Sequence, residues 1–169
     1  MSYKSELRKI NPTDHKWLVD LHNDPDVLIN LTHSNVITLD EHMSWWENIK
    51  NSKKELRYIF TVNDVPVGFT KFYDIDYDNR NCMLGADIHK NFRGKGYANA
   101  MWTHMLNFVF FDLSLHRASL TTASYNLIGQ RVYKKLGFRE EGKLIQSLYR
   151  NSEFHDQICM FMLRNDWVK

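Results

Sequence analysis

The chain has 169 residues, 43% of them hydrophobic and 25% charged, with a net charge of +2. That length suits one domain, residues 1–169, with a real hydrophobic core, and the near-neutral charge gives no footing for a nucleic-acid or membrane partner. The longest apolar runs, Phe108–Phe111 and Ile158–Leu163, are far too short to span a bilayer.

In chain order, Ser5 to Ile10 reads as a strand. Asn11-Pro12 opens a helix with Pro at its first position and Trp17, Leu18 and Leu21 on one face. Asp24-Pro25 interrupts it, and a short second helical piece follows. Thr38-Leu-Asp-Glu41 is a capping box that starts a helix to about Lys50, with His42, Trp45, Trp46 and Ile49 on its face. Leu56–Val62 and Val65–Phe72 are strands around an Asn63-Asp64 turn, and Asp74 to Asn81 is a polar connection. Cys82–His89 is a strand that runs into a glycine-bearing turn. A helix from Gly96 to about Asp112 carries Ala98, Met101, Trp102, Met105 and Val109 as a core stripe. Arg117–Ser124 is a strand, Asn126–Leu136 a helix ended by Gly137, and Phe138–Leu148 and Phe154–Leu163 the last two strands. This order predicts an α/β fold with a mixed sheet and helices on its faces. No apolar segment follows the first residues, so no signal peptide is expected. Cys82 and Cys159 read as buried free thiols of a cytoplasmic protein, and no spacing points to a metal.

The turn Asn91-Phe-Arg-Gly-Lys-Gly-Tyr-Ala98 is the first chemical signal. A glycine turn between a strand and a helix N-terminus presents free backbone N–H groups and the positive end of a helix dipole, a setting for phosphate. Arg93 and Lys95 add charge there. The pattern is neither a P-loop, which needs Gly-Lys-Ser/Thr, nor a dinucleotide fingerprint, since Asn99 stands where the third glycine belongs.

The second signal is Asn126-Leu-Ile-Gly-Gln-Arg-Val-Tyr-Lys-Lys-Leu-Gly-Phe138. Asn126, Gly129, Gln130 and Tyr133 share one helical face, uncharged and with a glycine; Ile128, Val132 and Leu136 share another, expected to pack on the sheet. A mid-helix glycine costs about 1 kcal/mol relative to alanine, so a close approach is expected at Gly129.

Together the two motifs resemble the GNAT N-acetyltransferases, over Ser5 to Trp167, and the closing Glu141–Asp156 stretch resembles their RimJ/RimL-like branch. The resemblance implies a single-domain GNAT fold, with a mostly antiparallel sheet of about seven strands and helices on both faces. It implies acetyl-CoA as co-substrate and no metal. The turn Arg93, Gly94, Lys95, Gly96, Tyr97 and Ala98 would take the pyrophosphate. The strand at Ala86, Asp87 and Ile88 would pair with the pantetheine arm, which Asn126 and Gln130 would also meet. Tyr133 would act as general acid toward the departing thiolate, since a phenol of pKa ~10 keeps its proton at neutral pH. A backbone N–H near Ile88 would polarise the carbonyl oxygen.

The resemblance implies a primary amine as acceptor, attacking directly. Bases for its proton are Asp87, His89, Glu41, His42 or a water relay. The segment Ile37-Thr38, His42, Trp45-Trp46 resembles PseH-like enzymes that acetylate nucleotide-linked amino sugars, so His42, Trp45, Trp46 and Asp87 are expected at a small-molecule site. His22 stands where that group often has Arg. The alternatives are a protein N-terminus, as for ribosomal proteins, and a polyamine, for which Asp74, Asp76 and Asp78 offer carboxylates; a ligand-binding protein without turnover is the alternative of another class. Related proteins are often dimers, so a homodimer lies within what the resemblance implies.

Overall fold

In the computed structural model, which describes residues 3–167, β1 (Ser5–Arg8) leads through a 3-10 turn (Pro12–Asp14) into α1 (His15–His22), α2 (Pro25–Leu28) and α3 (Leu39–Ile49). A meander follows: β2 (Leu56–Val62), β3 (Val65–Asp76) and β4 (Asn81–Ile88). Then come α4 (Tyr97–Asn107), β5 (Arg117–Ala123), α5 (Leu127–Leu136), β6 (Arg139–Arg150), β7 (Glu153–Leu163) and α6 (Arg164–Trp167). Among the described residues, no helix is long and apolar enough to cross a membrane.

Local chemistry accounts for the element starts. Thr38 Oγ1 accepts from the Glu41 N–H at 3.2 Å while the Glu41 carboxylate accepts from the Thr38 N–H at 2.7 Å, the capping box read from sequence. The helix expected from Asn11 begins later, because the Asp14 carboxylate takes the Asn11 N–H at 2.7 Å and the Arg8 guanidinium at 2.6 and 2.9 Å and holds one tight turn first. β3 runs past Phe72 to Asp76, and the polar connection becomes a bulged strand end in which Asp76 pairs with Asn81. The long helix expected to Asp112 is α4 followed by a π turn at Phe108–Asp112.

The strands lie in the order β1-β2-β3-β4-β5-β7-β6. Every neighbouring pair is antiparallel except β4 and β5. One face carries Phe60, Phe72, Leu84 and Leu120 and buries them under Met101, Met105, Leu106 and Phe110 of α4 and its π turn. A Cβ on Gly68 would come within 2.7 Å of Met101 Sδ, so the absence of a side chain there lets α4 sit close on β3. The other face is covered by α1 and α3: the Arg57 guanidinium of β2 lies 5.8 Å from the Trp45 ring centroid. Helices thus cover both faces, as expected.

Candidate active site

β4 and β5 pair over only three residue couples, Asn81 with Arg117, Cys82 with Ala118 and Met83 with Ser119, and then part. From Leu84 to Ile88 the β5-facing edge of β4 has no strand partner among the described residues, although its other edge stays paired with β3. The gap is part of a continuous cleft of ≈ 1350 Å³ that also reaches the glycine turn and the underside of α1 and α3. Free backbone groups along such an edge need a hydrogen-bonding occupant or water.

At one end Gly94 and Gly96 have φ of +73° and +81°, a left-handed conformation that glycine adopts without strain. Gly96 is the N-cap of α4 and supplies no side chain to the first turn, so the N–H groups there remain open to an anion. Gly94, Gly96, Tyr97 and Ala98 line the cleft with Ala86, Asp87 and Ile88. Arg93 also lines it, but its guanidinium is engaged elsewhere. Its Nε donates to Ile88 O at 3.0 Å, and its terminal nitrogens lie 2.8 Å from Asp26 and 3.4 Å from Asp24. Lys95 does not line the cleft; its Nζ sits 5.4 Å over the Phe92 ring. The turn therefore offers backbone donors, with Arg93 as a brace to α2.

α5 crosses the gap. Tyr133 packs edge-on against Trp102 at 4.9 Å and near Phe138 at 6.1 Å, and it faces the cleft. Burial holds the phenol far above its ordinary pKa, and the charge of Asp87 and the neighbouring Tyr73 add to this. Asn126 is the N-cap of α5: its Oδ1 accepts from the Gly129 N–H at 3.0 Å and its Nδ2 donates to Thr122 at 3.0 Å. The close approach expected at Gly129 is this side chain, since a Cβ there would meet Asn126 Nδ2 at 2.6 Å. Gln130 donates to Ala123 O at 3.2 Å and Ser124 O at 2.9 Å, which fastens α5 to the end of β5; it does not line the cleft. Val132 and Leu136 pack against the core as expected, together with Tyr133, but Ile128, one turn earlier, is 78% exposed.

The other end is a chamber beneath α1 and α3. Arg57, Lys71 and Gly85 stand opposite one another across β2, β3 and β4, with Phe69 opposite Asp87 in the next row. Lys71 lies along Gly85, and its Nζ pairs with Asp87 at 2.6 Å. Arg57 pairs with Glu55 at 2.7 Å and donates to Phe72 O at 2.9 Å; its buried Nε has no hydrogen-bond partner among the described residues. His42 and Trp45 line this chamber. Trp46, expected beside them, faces an outer groove instead. Glu41 reaches the chamber rim, committed to its cap, and His89 faces Trp17 with its Nδ1 accepting from the Asn91 N–H. Asp74, Asp76 and Asp78 lie away from the cleft lining, and Asp76 is bound to Asn79. A latch that the sequence did not reveal closes the far wall. Tyr125 donates to Ile29 O, and Arg150 donates to Leu31 O and, at 3.0 Å, to Thr32 O.

A family model for the acetyltransferase (GNAT) domain matches residues 5–139. The chain belongs to the GNAT acetyltransferase family. It is accordingly an acetyltransferase with acetyl-CoA as donor. It is 29% identical over 162 residues to the SPbeta prophage-derived uncharacterized N-acetyltransferase YokL of Bacillus subtilis (strain 168), covering 95% of this chain and 90% of that protein. It is 23% identical over 171 residues to the spermidine N(1)-acetyltransferase of Vibrio cholerae, covering 99% and 98%. The crystal structure of the Vibrio cholerae spermidine N-acetyltransferase in complex with CoA and spermine superposes with a TM-score of 0.94 at 22% identity, over 98% of each chain. This GNAT fold thus sets the gap between β4 and β5. Among the described residues no group of three or more His, Cys, Asp or Glu is placed to hold a metal.

Proposed function

We propose that this acetyltransferase acts on the primary amine of a small molecule, with Tyr133 as the general acid. The observation that carries the reading is the partly buried Tyr133 phenol, which faces the cleft where β4 and β5 part and keeps its proton. Acetyl-CoA would lie along the free edge of β4, its pyrophosphate on the open N–H groups of the Gly94–Ala98 turn. The amine nitrogen attacks the thioester carbonyl carbon, the C–S bond breaks, and Tyr133 Oη protonates the leaving sulfur. A backbone N–H of the free β4 edge stabilises the oxyanion. Cys82 is buried with its pKa pushed up to about 12, which does not suit a nucleophile, and direct attack needs none. Two unpaired cysteines fit a reducing compartment, and we place the protein in the cytoplasm.

For the acceptor we favour an amino sugar, nucleotide-linked ones included. Trp45, Phe69, Tyr73 and His42 give the chamber aromatic walls suited to a ring. Its most enclosed carboxylate, Asp87, is already matched to Lys71; the other acids at the cleft are Asp26, exposed and paired with Arg93, and Glu41 at the rim, held by its cap. A polyamine carries several positive charges and would need unmatched carboxylates. Polyamine acetylation is the second reading, because spermidine acetyltransferases are among the relatives aligned over nearly the whole chain. Thiol release measured across amino sugars, polyamines and N-terminal peptides decides between them. A higher kcat/KM for spermidine than for every amino sugar would overturn the preference.

A further inference from the structure

Two histidines connect the acceptor chamber to a separate groove on the outside of the molecule. His15 begins α1 and His42 lies on α3; they are 7% and 5% exposed, and His15 Nδ1 is 3.0 Å from His42 Nε2. His42 lines the chamber. His15 lines the outer groove of ≈ 700 Å³, with Trp46, Glu47 and Lys50. One ring nitrogen remains on each, Nδ1 of His42 and Nε2 of His15. Neither is among the buried side-chain polar atoms without a partner in the described residues, and neither makes another hydrogen bond there, so both ends of the pair are open. Between Trp45 and Trp46, apolar side chains would fill this wall without the cost of burying polar nitrogens.

We propose that His42 and His15 form a proton path that carries the acceptor ammonium's proton from the chamber to the outer groove. The proposal rests on the acetyl-transfer reading above. The overall reaction turns an ammonium and acetyl-CoA into an amide, CoA thiol and one proton, and that proton must leave an aromatic-walled chamber. The ammonium N–H passes its proton to His42 Nδ1, His42 Nε2–H passes one to His15 Nδ1, and His15 Nε2–H passes one to water outside. Run together, the hops leave both rings neutral throughout. This agrees with His42, whose pKa is pushed down to about 4 by burial and then by the charges of His15 and His22. After the product leaves and water fills the chamber, the reverse hops restore the tautomers. The other bases named from the sequence are occupied: Asp87 by Lys71, Glu41 by its cap, His89 by the Asn91 N–H. The charged groups around the pair are His22 of α1, Glu41 of α3 and Arg57 of β2 on the chamber side, and Lys16, Glu47 and Lys50 on the outside.

The test is the pH dependence of kcat/KM for wild type, His42→Gln and His15→Phe, using an amine that the wild type acetylates. The expected loss is about 10- to 100-fold at neutral pH. The deficit should shrink as the pH nears the pKa of the free amine, about 10 for an alkylamine, where no proton need leave. Imidazole added to His15→Ala should restore turnover through the outer groove, and this arm stands even if His15→Phe does not fold. A deficit that stays constant with pH, or no deficit, overturns the path; so does His15→Ala that is folded, slow and unmoved by imidazole. If the wild type acetylates no amine, the acetyl-transfer reading fails by itself. The histidine pair is then judged by nitrogen NMR: His42 neutral down to about pH 4 with its ring shifts altered in His15→Ala supports proton sharing, and titration near ~6.5 refutes it.

Discussion

Tyr133 combines two properties that rarely coincide: a polar group at a cleft wall and an aromatic body locked between Trp102 and Phe138. Its hydroxyl makes no hydrogen bond within the described residues, so the fold does not depend on it. Tyr133→Phe should therefore keep its folding midpoint and its KM for acetyl-CoA while kcat falls about 100-fold or more. Steady-state thiol release together with a thermal melt checks this, and unchanged turnover would remove Tyr133 from the chemistry. Helical spacing singled out its uncharged face, shared with Asn126, Gly129 and Gln130, and the family resemblance supplied the expected role. Sequence could not separate Trp45 from Trp46. Adjacent helical residues point about 100° apart, so one lines the chamber and the other the outer groove.

Elements show the same division between local and non-local information. The capping box of α3, the glycine turn before α4 and the Gly137 stop of α5 are local chemistry, and each stands where the sequence placed it. The parting of β4 from β5, the Lys71–Asp87 pair and the His15–His42 contact join segments far apart in the chain or on different strands, and no spacing rule reports them. The cap of α5 lies between these cases. Its glycine was legible as a place of close approach, but the approaching group is the Asn126 side chain rather than a ligand. Gly129→Ala should displace that cap. A lost N-cap costs about 0.5–2 kcal/mol, against which alanine gains up to about 1 kcal/mol of helix propensity. Where the cap loss outweighs that gain, wild type should be destabilised by up to about 1 kcal/mol. In an Asn126→Ala background the cap is already gone, and the same substitution should stabilise. Urea midpoints for the four chains of this cycle measure the change of sign; a Gly129→Ala effect of one sign in both backgrounds would show that the cap does not explain the glycine.

At the scale of the whole molecule, the buried histidine pair ties folding to pH. His42 titrates at about 4 in the fold and at about 6.5 when unfolded. Between those values the unfolded chain binds a proton that the native chain does not, so stability rises with pH across this window. It is fully present above about pH 6.5 and lost as the pH falls toward 4. Each pH unit of separation corresponds to about 1.4 kcal/mol, which puts the loss on the order of 3 kcal/mol. The Asp14 carboxylate is also held low, since its bonds to Arg8 and the Asn11 N–H outweigh its burial. Its contribution, like those of Glu41 and Asp76, whose carboxylates are also held low, is lost from about pH 5 downward, so the fall between about pH 6.5 and 5 reports the histidine. Urea midpoints taken from pH 7.5 to 5 should fall steadily in wild type and much less in His42→Gln. An equal fall in both chains would place the acid sensitivity in other groups and leave His42 without its depressed pKa.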